Sequence, residues 1–78
     1  MPTVLRVGPY RFYFHSHEPG EPPHIHVDRD DQYAKFWLKP VVVARTIRFS
    51  AKEIRTLKTL VDQHEQKFLE AWYEYFGK

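Results

Sequence analysis

A chain of 78 residues with no cysteine is sized for a single domain, residues 1–78, that no disulfide can staple. Its net charge of +2 permits an anionic partner without demanding one, because the surplus is only seven Lys/Arg against five Asp/Glu within residues 1–48. No apolar run approaches the ~20 residues of a membrane span and the N-terminus shows no basic-then-apolar leader, so the expectation is a cytoplasmic protein away from the membrane.

Thr3–Val7 is β-branched and apolar, a first strand, and Gly8-Pro9 turns it. Tyr10–His17 alternates as a second strand, with Tyr10, Phe12 and Phe14 on one face and Arg11, Tyr13, His15 and His17 on the other. Glu18–Pro23 is a turn stiffened by three prolines, and Pro22-Pro23 offers a place for a cis bond. His24–Asp28 is a third strand, Arg29–Gln32 a polar turn, and Tyr33–Leu38 a fourth strand with Ala34, Phe36 and Leu38 opposed to Tyr33, Lys35 and Trp37. Val41-Val42-Val43, behind Pro40, reads as either a short edge strand or a buried connector.

Phe49-Ser50-Ala51-Lys52-Glu53-Ile54 predicts a helix start, with Ser50 as N-cap, Glu53 at N3 of a capping box, and Phe49 and Ile54 as a hydrophobic staple. Ile54, Leu57, Val61, His64, Phe68, Trp72 and Tyr75 then step by three or four along one helical face, and Gly77 suits the position just past the end. One straight helix over this stretch would be ~39 Å long, against a globule ~30 Å across. It must overhang or break, and Asp62 with Glu65 marks the preferred break. The predicted fold class is α+β: an antiparallel sheet of three to four strands followed by one long or broken C-terminal helix packed on one face.

A six-residue connection in the hairpin sets His17 opposite His24 and His15 opposite His26. Phe12, Phe14, Ile25 and Val27 then share the core face. The other face gathers Arg11, Tyr13, the four imidazoles, Asp28, Tyr33, Lys35 and Trp37. Aromatics interleaved with cations suit base stacking and phosphate contact, so Arg11, Tyr13, Lys35 and Trp37 are the candidate nucleic-acid-binding residues. The competing reading has this face covered by a second subunit or by the C-terminal aromatics, Trp72–Phe76.

His24 and His26 are the candidate catalytic pair. Metal-free RNA cleavage needs one imidazole as base, one as acid, and a cation for the phosphorane. Two readings stand beside this one. His15, His17, His24 and His26 can converge as metal ligands, with Asp28 in reach; or the histidines bond backbone and carboxylate groups and pin the proline turn. No Cys or Glu cluster completes a familiar ligand pattern, so neither metal nor cofactor is assigned. His64, within the helical stripe, is assigned to the core. Trp72, Tyr73, Tyr75 and Phe76 cannot share one helical face, because neighbours diverge by ~100°, which leaves aromatic surface for a homodimer or partner contact.

Met1-Pro2-Thr3, Gly8-Pro9-Tyr10-Arg11-Phe12, Glu21-Pro22-Pro23-His24-Ile25-His26-Val27, Ala34-Lys35-Phe36-Trp37-Leu38, Phe49-Ser50-Ala51 and Glu70-Ala71-Trp72 together resemble the small bacterial domain-of-unknown-function family 4160. The Glu-Pro-Pro-His-Ile-His stretch is the most specific part. The resemblance implies a small cytoplasmic protein of a toxin–antitoxin-type pair, with a small cognate protein encoded alongside, and no established catalytic residues. This chain departs from the family pattern at Arg48, where a glycine is usual before Phe49, and that departure bears on the local turn. The leading functional expectation is a sheet face that engages RNA, with metal-free cleavage through His24 and His26. The alternatives are a non-enzymatic module that binds its partner through the same face, and a His-rich metal site.

Overall fold

The computed structural model describes residues 3–15 and 20–77. Five strands form one antiparallel meander: β1 (Thr3–Val7), β2 (Tyr10–Tyr13), β3 (His24–Arg29), β4 (Gln32–Leu38) and β5 (Val41–Ile47), each beside its chain neighbours. Two helices follow, α1 (Ala51–Gln63) and α2 (Glu65–Phe76). The α+β class holds, but with a fifth strand and a second helix. Val41-Val42-Val43 opens a full seven-residue edge strand rather than a connector. The strand outruns its valines because Arg45 pairs with Lys35 across the ladder beyond a bulge at Ala44.

Period-two alternation sorts the sheet's two faces. Phe12, Ile25, Val27, Ala34, Phe36 and Leu38 are buried on one face, and Leu57, Val61, Phe68 and Trp72 of the helices complete the core against them. Phe12 stacks on Phe68 with ring centroids 5.4 Å apart, and Phe14 meets Trp72 edge-on at the same distance.

The helix start is the one the sequence predicts in its first half only. The Ser50 hydroxyl accepts from the Glu53 N–H at 3.1 Å. The Glu53 carboxylate does not return to the cap; it accepts from Arg29 at 2.9 Å and from Gln32 at 3.2 Å, tying α1 to the tip of the β3–β4 hairpin. Arg48 takes a left-handed φ of 69°, so the turn into α1 does need the conformation that glycine supplies cheaply, and an arginine holds it here.

The helical stretch breaks at His64, inside the predicted window. His64 is partly buried; its Nδ1–H donates to the Leu60 carbonyl at 2.8 Å, and its ring lies beside Phe68. The break lets both helices lie on a body 33 Å in its longest extent. Gly77 closes α2 at φ 79°, its N–H donating to the Tyr73 carbonyl at 2.8 Å. Among the described residues the cis peptide is at Lys39-Pro40, not at Pro22-Pro23. No helix is long and apolar enough to cross a membrane among the described residues.

Candidate functional site

The second face of the sheet is ordered in cross-strand rows. One row runs Arg6, Arg11, Asp28, Tyr33 and Ile47; the next runs Thr3, Tyr13, His26, Lys35 and Arg45; a third runs His24, Trp37 and Val42. All six predicted site residues are therefore on one face. The register differs from the expected one by two residues: β2 ends at Tyr13, and Tyr13, not His15, stands opposite His26. A shift of two keeps every side chain on its own face, which is why the faces survive the error. His15 still reaches His26, with ring centroids 4.0 Å apart. His17 lies outside the described residues.

What differs is exposure. His24 is 0% exposed and His26 2%. The Nδ1 of His24 carries a proton, because it donates to the Pro22 carbonyl at 2.8 Å and a carbonyl can only accept. Its ring stands edge-on to His26 and Trp37, and Trp72 of α2 reaches round to it at 4.9 Å. His26 is sandwiched between Tyr13 and Tyr33, nearly parallel to both, and its Nδ1 shares a 2.7 Å hydrogen bond with the Tyr33 hydroxyl. The Tyr13 hydroxyl donates to Asp28 at 2.9 Å. Burial, then the bond to the Asp28 carboxylate, push the Tyr13 phenol well above the ordinary tyrosine range.

Two cations on this face, Arg11 and Lys35, are engaged as well. Arg11 lies over the Tyr13 ring at 4.5 Å, donates to the Thr3 hydroxyl at 2.8 Å and sits 3.8 Å from Asp28. Lys35 lies 2.7 Å from Glu21 and 4.6 Å above the Trp37 ring. Among the described residues no group of three or more His, Cys, Asp or Glu is arranged to hold a metal.

Exposure rises across the same face toward β5. Tyr33 and Trp37 are partly exposed, while Val42, Arg45 and Ile47 are open. Sequence reasoning passed over β5 here. A signal was available: from Lys39 to Lys52 the chain has four cations and no carboxylate. A depression of about 600 Å³ between β1 and α2, lined by Thr3, Phe14, Lys67, Glu70, Glu74 and Tyr75 among others, has no histidine among its described lining residues.

A five-stranded meander with two helices on one face and a ring-packed second face is an α+β sheet-and-helix domain. The chain belongs to the family described as domain of unknown function (DUF4160), whose model matches residues 10–73. No curated protein and no solved structure matches it.

Proposed function

We propose that this domain is a non-enzymatic interaction module that takes its cognate protein, the other member of a toxin–antitoxin-type pair, on the open part of its histidine-bearing face. The observation that carries this reading is the gradient of exposure. The residues with catalytic chemistry, His24 and His26, are sealed and hydrogen-bonded within the sheet, while Trp37, Val42 and Ile47 offer apolar surface beside them. A general acid or base must come within hydrogen-bond reach of its substrate. Two imidazoles at 0% and 2% exposure do so only if the covering rings move. The cysteine-free chain suits a reducing cytoplasm. The exposed Tyr73 and Tyr75 of α2 give a second patch fit for a homodimer contact, which sedimentation would reveal.

The RNA reading keeps one favourable observation, the Lys35–Trp37 pair, a cation on an aromatic at the border of the open surface. Co-expression with the neighbouring small protein, together with titration of labelled single-stranded RNA at low and moderate salt, separates the two. The module reading expects a stable complex lost in Trp37→Ala and no RNA affinity. RNA binding at low salt that weakens in Arg11→Ala and Lys35→Ala would overturn it in favour of the nucleic acid. Cleavage abolished by His26→Ala, with a bell-shaped pH profile and binding retained, would make it a nuclease.

A further inference from the structure

β5 is an open edge. Among the described residues it pairs only with β4, six of its seven residues are exposed, and no turn, loop or cap backbone bond reaches it. Alternate residues of such a strand aim their N–H and C=O groups away from the sheet, a template for another strand. The opposite edge, β1, is shorter, and Val4, Leu5 and Val7 are half-buried against the core. Natural edges are usually blunted, and β5 carries two such devices, the bulge at Ala44 and the charge of Arg45. The charge acts most strongly against an identical strand.

We propose that β5 is the docking edge for an extended, acidic strand of a partner protein, added to the sheet beyond β5. This rests on the interaction-module reading and gives it a place and a chemistry. The argument is charge. Lys39, Arg45, Arg48 and Lys52 flank or lie on the strand with no carboxylate among residues 39–52. Arg48 is paired with Asp31, but Lys39, Arg45 and Lys52 meet no carboxylate among the described residues. Two copies joined through β5 would bring these cations together, and like charges on facing strands repel. A strand alternating apolar and acidic residues reverses the sign. Its carboxylates meet Arg45 on that residue's face, while its apolar residues fall on the opposite face, beside the exposed Val43.

The test uses the whole chain and a short peptide of alternating valine and glutamate, read by amide hydrogen exchange and chemical-shift changes. The expected result is saturable binding that protects alternate β5 amides. Binding should weaken roughly tenfold in Arg45→Glu and when alternate peptide nitrogens are methylated. Arg45 is exposed, so the variant should melt as the parent does. Equal binding of a valine–lysine peptide overturns the proposal, as does binding that leaves β5 unprotected. Dimerisation through β5 without peptide would assign the edge to a second copy, and protection of the same amides by single-stranded RNA would assign it to nucleic acid; either overturns it. A chain that captures its cognate protein through Trp37 while ignoring the peptide loses this inference and keeps the module reading. A chain that captures neither loses both.

Discussion

One face of this sheet holds two neighbourhoods of opposite character. At β2 and β3, Tyr13, His24 and His26 are buried, their ring atoms in hydrogen bonds or stacks. At β5, Val42, Arg45 and Ile47 lie open to solvent. The residue types would suggest the reverse assignment, with imidazoles at work and valines in storage. Burial of a polar ring costs little once its donors and acceptors are matched. Exposed apolar surface is tolerated on a small domain and is informative when it lies along an unpaired edge.

The sharpest way to break this contrast is His26→Ala. It empties the slot between Tyr13 and Tyr33 and removes the 2.7 Å hydrogen bond to the Tyr33 hydroxyl. A loss of about 2–4 kcal/mol is expected, from the cavity and the lost hydrogen bond together. In a thermal melt that is a fall of at least about 8 °C for a domain of this size. A shift no larger than that of a surface substitution would show the ring lattice to be ornamental.

Tyr13→Phe should cost about 1 kcal/mol at neutral pH, the worth of the hydroxyl's bond to Asp28. It should also change the alkaline limb. The Tyr13 phenol is held neutral by burial and by Asp28, so its raised folded-state pKa favours the folded state fully below the ordinary tyrosine value near 10. That contribution fades as pH climbs beyond it. Denaturant midpoints between neutral and strongly alkaline pH should therefore fall less steeply in Tyr13→Phe than in the parent.

Arg48→Gly probes the exit from the open strand. It relieves a left-handed arginine, which costs roughly 1–2 kcal/mol, while glycine's freedom in the unfolded chain takes back up to ~1 kcal/mol. The ion pair with Asp31 is exposed at both ends and contributes little. A net gain of up to about 1 kcal/mol is expected; a loss in urea unfolding would show that Arg48 earns its conformation elsewhere. Val42→Ser and Ile47→Ser should each move stability by no more than about 0.5 kcal/mol, yet each should weaken partner capture. A large stability loss with capture intact would erase the distinction between the two neighbourhoods.

The faces were legible because alternation in strands is a parity rule: Phe12, Ile25 and Phe36 declare one side, Tyr13, His26 and Lys35 the other. Register was not, because parity is blind to a shift of two, and the end of β2 at Tyr13 has no punctuation in the sequence. β5 was hard to read because its valines run without alternation and the bulge at Ala44 interrupts the period just where Arg45 would have marked a face. The sealing of His24 and His26 was beyond sequence altogether. It depends on Tyr33 reaching diagonally to His26, and on Trp72 arriving from a helix nearly fifty residues away in the chain. The break at His64 was readable because length and a weak cap pointed to the same place.

Glu53 has a mechanical consequence. Its carboxylate joins Arg29 and Gln32, Gln32 also donates to the Arg48 carbonyl, and Arg48 holds Asp31, so the β3–β4 tip and the β5–α1 junction are latched at four points. Each contact alone is weak. Together they make the tip and the junction a single unit for local opening: the first turn of α1 cannot fray freely while the hairpin tip stays docked. In native-state exchange, amides around Asp31 and around Lys52 should open with one common free energy, and Glu53→Ala should split it in two.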